Sequence, residues 1–282
     1  MTLLHFLPFA ALFAASLLAI LGFATRYYLP ILLVAYGAAA QLGLITAWAV
    51  LPMALLVLAG WGMCAQRRSV RLLAHLGFVG TALALMLHRF AGFNNPMVFA
   101  PQALSADALP FALYLNLDKP LIGFSLLLIF PLLAQRMSIQ KTLGAAMVPL
   151  IAAMAVMVPL AISWHVVAWQ PKWPEMTALW LLNNFLLVCM AEEVFFRAYI
   201  QGHLSRWLAH WPYGAAIAVC LAALLFGLAH MAGGWLWVVL ATIAGVAYGV
   251  AYRYGGLLAA MLAHFGLNAL HFTLLTYPML RN

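Results

Sequence analysis

The sequence predicts an all-α protein, a polytopic transmembrane helical bundle of about ten helices (eight to ten), and three observations predict it. Hydrophobic residues make up 68% of the 282 and charged residues 6%, with a mean hydropathy of +1.06, far outside the range of a soluble domain. Apolar runs long enough to span a bilayer recur along the whole chain. The 13 Lys and Arg residues stand between those runs, so the net charge of +8 is a topology signal and not the concentrated patch of a nucleic-acid-binding protein.

A bilayer core of about 30 Å is crossed by roughly 20 helical residues at about 1.5 Å each. The apolar stretch Leu3 to Ala24 has that length and no basic segment before it, so it reads as a retained first span rather than a signal peptide. Tyr28 to Gln66 carries no charge and as one helix would reach about 58 Å, so it must cross twice, with a turn near Gln41 to Thr46. Further spans are expected over Leu72–Leu87, a shorter Leu121–Ala134, Leu143–Trp164, Thr177 to about Ile200, Tyr213–His230, Trp235–Tyr252 and Leu257–Thr276. With the N-terminus outside, the inner side receives nine cations (Arg26, Arg67, Arg68, Arg71, Arg136, Lys141, Arg197, Arg206 and Arg253) and the outer side four (Arg89, Lys119, Lys172 and Arg281). That bias satisfies the positive-inside rule for ten crossings. The long outer loop from Ala91 to Pro120, with "FNNPM" and "SADALP", reads as a connector rather than a lid. No repeat or linker divides the chain. It reads as one membrane domain over 1–282, with accessory helices in 1–142 and a polar-bearing core in 143–282, its polar groups in the last four helices.

Ionisable groups within a bilayer are costly unless paired or wet, so their default reading is functional. Only five acidic residues occur, and two of them are adjacent in "AEEVFFRAY". Glu193 and Arg197 stand four apart, acid first, the favourable order for an ion pair along a helix. That pairing leaves Glu192 without a local counter-charge and pointing about 100 degrees away, the setting of a general base. The next helix ends in "FGLAH", placing Phe226 and His230 one turn apart. The last helix contains "HFGLNALH", where His264, Asn268 and His271 share a face at i, i+4 and i+7. Taken alone, either of the last two groups reads as interhelical hydrogen bonding; three polar groups confined to one half point to a single buried site.

Peptide hydrolysis in a membrane needs a held, deprotonated water and donors for the tetrahedral oxyanion. Glu192 with His230 fits the first need, and His264 with Asn268 the second. The residues leave a second arrangement open, in which Glu192, His230 and His264 ligate zinc, although no H-E-x-x-H is present.

Taken together, "EEVFFR", "FGLAH" and "HFGLN" resemble, in order and spacing, the motifs E-E-x-x-x-R, F-x-x-x-H and H-x-x-x-N of the CAAX protease and bacteriocin-processing (Abi-type) intramembrane proteases, a family that includes the Ras-converting CAAX protease. The resemblance covers roughly Ala178 to Leu275. It implies that Glu192 activates the water with help from His230, that His264 and Asn268 serve the oxyanion, and that Glu193 and Arg197 form the supporting pair, with Phe226 beside them. It also implies a glutamate-type enzyme with no cofactor, zinc being the less favoured alternative. The implied substrate is a membrane-associated or lipidated protein or peptide, cut near the membrane in C-terminal or leader processing. The expected location is a prokaryotic cytoplasmic (inner) membrane, with the lipid bilayer and the substrate as partners and no nucleic acid.

Two other classes are carried alongside. Buried carboxylates and histidines also make proton-coupled carriers, but those place broken helices in both halves, whereas the polar groups here lie in one. A catalytically silent immunity or scaffold member of the same family is the other. His271 is a spare ligand candidate. His5, His75, His88, His165, His203 and His210 are expected to be interfacial or structural. Cys64, Cys189 and Cys220 sit in apolar runs without C-x-x-C spacing and read as buried small apolar residues.

Overall fold

The computed structural model describes residues 3–130, 132 and 137–281. Ala134, the expected end of the fifth span, and Arg136, one of the nine inner cations, lie outside the described residues.

Among the described residues the chain forms nine helices: α1 (Leu3–Ile20), α2 (Thr25–Gln41), α3 (Val50–Met63), α4 (Arg68–Met86), α5 (Lys119–Ile129), α6 (Ile139–Ser163), α7 (Thr177–Trp207), α8 (Gly214–Ala229) and α9 (Trp235–Leu274). Five of them, α1, α4, α6, α7 and α9, are long and apolar enough to cross a membrane. Large side chains such as Leu33, Val57, Leu76 and Val148 are exposed on the helices, surface that only a bilayer covers cheaply. Of the three cysteines expected to be buried, Cys189 is, whereas Cys64 and Cys220 lie on this outer surface. The protein is an integral membrane helical bundle. The uncharged run from Tyr28 to Gln66 does break in two, at the turn between α2 and α3, where Leu44 N donates to Ala39 O at 2.9 Å.

The expected tenth span is missing as a separate helix because its residues continue from the ninth. At 40 residues, α9 would measure about 60 Å if straight, twice the bilayer core. It bends at Gly256, whose φ of 76° and ψ of −171° lie in a region open only to glycine. The bend is a reversal. The rings of Tyr248 and His264 meet at 4.5 Å, although 16 residues of straight helix would separate them by about 24 Å. Trp237 and His271, farther out on the two arms, also meet, at 5.5 Å. The arms, 235–255 and 257–274, are the two spans expected at the end of the chain.

The chain divides into two compact units. One comprises residues 1–98, 114–132 and 186–191. Here α1 packs on α2, and α3 and α4 pack on one another and on α5. Its polar centre is Asp118, buried at the start of α5, which accepts from Lys119 N at 2.9 Å and Asn95 Nδ2 at 3.2 Å. His88 Nδ1 completes the set at 2.5 Å, so His88 is structural as expected. Asn95 Oδ1 in turn accepts from Leu117 N at 2.8 Å, and Asn94 Nδ2 donates to Gly43 O at 2.8 Å. The two amides of "FNNPM" latch the base of the long loop. That loop also carries a two-stranded sheet, β1 (Met97–Gln102) with β2 (Phe111–Tyr114), an element the all-α reading omits because it lies outside the apolar runs.

The other unit comprises residues 99–113, 133–185 and 192–282. In it α9 packs along both α6 and α8, and small residues allow the approach: a Cβ on Gly245 would lie 3.0 Å from Ala223 Cα, and one on Gly266 would lie 2.6 Å from Leu150. After α9 the chain runs extended and is pinned on both sides, Thr276 N donating to Ala168 O, Leu280 N to Val166 O, and Leu109 N to Met279 O, at 2.9 to 3.0 Å. Trp180 of α7 stacks on Phe272 of α9 at 4.0 Å.

A side chain at Gly256 would meet no atom within 4 Å, so only backbone strain opposes it. Gly256→Ala is expected to destabilise the protein by about 1–3 kcal/mol, whereas Gly77→Ala, in the open interior of α4, is expected to be neutral or stabilising by up to about 1 kcal/mol. Thermal unfolding of the two variants in detergent checks the contrast.

Candidate active site

Three helices build the site. α7 supplies Glu192, Glu193 and Arg197; the end of α8 supplies Phe226 and His230; the two arms of α9 supply Tyr248 and then His264 and Asn268. The glutamates lie in a short α-helical stretch, Met190–Glu193, between two π-helical stretches, Asn184–Cys189 and Val194–Gln201. Wide i→i+5 turns of this kind recur where a helix must re-aim side chains for function.

The carboxylate of Glu193 is fully buried and both its oxygens are committed. Oε2 accepts from Arg197 Nε at 3.1 Å, and Oε1 accepts from His264 Nδ1 at 2.8 Å. Arg197 is itself fully buried, and its two Nη atoms have no hydrogen-bond partner among the described residues. Aromatic faces take their place: the guanidinium carbon lies 5.1 Å from the Phe226 ring centre and 5.9 Å from that of Tyr248, within cation–π range. The ion pair expected from the i, i+4 spacing is therefore present, and it extends to the last helix through His264.

A histidine that donates from Nδ1 to a carboxylate presents, when neutral, a bare Nε2. His264 Nε2 faces Glu192 Oε2 at 4.0 Å. That gap exceeds a direct hydrogen bond, yet an oxygen about 2.8 Å from both atoms would satisfy each. The Glu192 side chain is 18% exposed, against 0% for Glu193, so the adjacent glutamates occupy different surroundings. Glu193 is spent on two cationic or donor groups, and Glu192 keeps an open side.

His230 caps the end of α8 with Nδ1 bonded to Phe226 O at 2.8 Å, again leaving Nε2 bare in the neutral ring. Its ring lies 4.6 Å from that of Phe226, which stands edge-on to His264 at 5.6 Å. His230 thus joins the group through Phe226. Asn268, one turn beyond His264, donates from Nδ2 to Asn184 Oδ1 at 3.3 Å. His271 is drawn off: its Nε2 bonds the Thr276 carbonyl at 3.1 Å, and its ring packs against Trp237 and Tyr277. Among the described residues no three of His, Cys, Asp and Glu converge as a metal site would require.

Two participants were not foreseen from the sequence. Asn184 had a signal, as an amide within an apolar span. Tyr248 had none, because a tyrosine in a membrane helix reads equally well as packing or as part of the interfacial belt.

Residues 173–270 match the family described as Type II CAAX prenyl endopeptidase Rce1-like. That segment is similar to the Rce1-like endopeptidases. The matched segment contains Glu192, Glu193, Arg197, Phe226, His230, His264 and Asn268, the residues on which the motif resemblance rests. No curated protein and no solved structure matches the chain. The Rce1-like match supports an intramembrane protease in general, acting on a membrane-associated protein.

Within the matched segment the buried pair can be tested by itself. Arg197→Met leaves the Glu193 charge in an apolar interior with only His264 to meet it, and is expected to cost about 3–5 kcal/mol. The double variant Arg197→Met/Glu193→Gln is expected to recover part of that loss, because no buried charge remains. Denaturant unfolding of both in detergent gives the coupling.

Proposed function

We propose that the protein is an intramembrane endopeptidase of the glutamate type, hydrolysing a peptide bond in a membrane-associated or lipidated substrate during C-terminal or leader processing. The observation that carries the reading is the open gap between Glu192 Oε2 and His264 Nε2, 4.0 Å across, with the far nitrogen of His264 anchored on buried Glu193. A water in reach of Glu192, with His230 assisting, gives its proton to the carboxylate as its oxygen bonds to the scissile carbonyl carbon. The proton passes on to His264 Nε2, producing an imidazolium that Glu193 stabilises through Nδ1. His264 then has an N–H to offer the oxyanion, joined by the amide of Asn268. When the intermediate collapses, the C–N bond breaks and the leaving nitrogen takes that proton. His264 thereby serves as proton acceptor first and oxyanion donor second, which reconciles its bare Nε2 in the neutral ring with the role implied by the family resemblance.

The reaction so written needs no metal. Glu192 and His264 face one another, but the second nitrogen of His264 is already committed, and Glu193 is shared with Arg197. The wider reading is of a prokaryotic cytoplasmic membrane protein with its N-terminus outside, and for that orientation the support is the nine-to-four division of cations between the two sides.

The test is a comparison of membrane-protein termini in cells expressing wild type or Glu192→Gln. Loss of a general base costs about 100-fold or more, so one or a few precursors are expected to accumulate uncut with the variant, and metal chelation is expected to leave wild-type cleavage intact. Matching termini at equal protein abundance would instead favour a carrier or a silent member of the family.

A further inference from the structure

Tyr248 lies outside the three motifs, yet it makes the closest ring contact to the central histidine. Its ring lies 4.5 Å from that of His264 with an angle of 14° between the planes, and the residue is 1% exposed. The bond from His264 Nδ1 to Glu193 holds one edge of the imidazole, while the side-chain torsions χ1 and χ2 still set the tilt of its plane. Glu192 is faced from Nε2, so that tilt decides the width of the gap between them. A parallel ring on one face and the perpendicular ring of Phe226, 5.6 Å away at 89°, leave a single plane. The same guanidinium, that of Arg197, lies against both walls. The reversal at Gly256 is what makes the stack available, since Tyr248 and His264 occupy opposite arms of α9.

We propose that Tyr248 is a positioning residue, acting through His264: stacking holds the imidazole plane that aims Nε2 at Glu192 and keeps the proton on Nδ1. The rate consequence rests on the proteolytic reading above; the ring geometry does not. Stacking needs the ring and makes no use of the hydroxyl, which separates this role from general core packing. Leucine supplies apolar bulk without an aromatic face, and phenylalanine supplies the face.

The experiment uses the full chain in detergent, labelled with 15N in its histidine rings, with His264→Gln identifying the His264 signals. In wild type and Tyr248→Phe, His264 is expected to show one protonated nitrogen at Nδ1 and one bare nitrogen at Nε2. In Tyr248→Leu the pattern is expected to average or exchange between the two nitrogens. Cleavage of the precursor identified with Glu192→Gln is expected to lose about tenfold in kcat for Tyr248→Leu with KM little changed, a cost in keeping with small misplacements of reacting groups, and to be largely retained in Tyr248→Phe. Tyr248→Met replaces the leucine variant if the latter does not accumulate. A wild-type nitrogen pattern in Tyr248→Leu or Tyr248→Met, or equal losses in the phenylalanine and aliphatic variants, would overturn the proposal. If no precursor accumulates with Glu192→Gln, the proteolytic reading fails while the nitrogen pattern still decides the role of Tyr248.

Discussion

The carboxylate of Glu193 is the constraint on which the rest of the site depends. A charge with 0% exposure in an apolar bundle is tolerable only when its lone pairs are met, and here one oxygen takes Arg197 and the other takes His264. The first bond stays within α7, four residues along, and the second ties α7 to the second arm of α9, 71 residues away. Satisfying the buried acid therefore gives the histidine that faces Glu192 a partner for Nδ1, and the stacked ring of Tyr248 lies along its plane. On the proposed mechanism stability and chemistry share this group, and the neighbouring glutamate, which keeps an open side, is the one that acts on water.

The bundle around that group is shaped to allow it. Arg197 cannot be hydrated where it lies, and its unbonded Nη atoms rest against Phe226 and Tyr248, a substitution of ring faces for water that suits the weakly hydrated guanidinium better than it would an ammonium. The π-helical stretches on either side of Met190–Glu193 shift the register of α7, so that Asn184, the two glutamates and Arg197 can serve partners on one neighbouring element. The bend at Gly256 folds a 40-residue helix into two arms, and without it His264 and Tyr248 could not meet.

Much of this was legible in the sequence, for a physical reason. In a membrane, polarity is expensive, so each charged or amide side chain inside an apolar run announces itself; the i, i+4 spacing of Glu193 and Arg197 and the polar stripe of the last helix needed no more than helical geometry. The span ruler also located the break between α2 and α3 and both arms of α9. What escaped was of two kinds. Aromatic partners such as Tyr248 are indistinguishable from packing until their orientation is known. Backbone departures, including the π turns of α7, the positive φ of Gly256 and the short sheet of the long loop, depend on tertiary contacts that residue patterns do not encode. The second bond of Glu193, to His264, belongs to this class, because it joins residues 71 apart.

The claim at the centre of the account is a division of labour between two adjacent glutamates, and thermal unfolding of Glu192→Gln beside Glu193→Gln tests it most directly. The account predicts that Glu193→Gln, which strands the buried Arg197 charge, loses about 3–5 kcal/mol, while Glu192→Gln, at a partly open position without a direct hydrogen bond to His264, stays within about 1 kcal/mol of wild type. Equal losses, or a larger loss for Glu192→Gln, would contradict it.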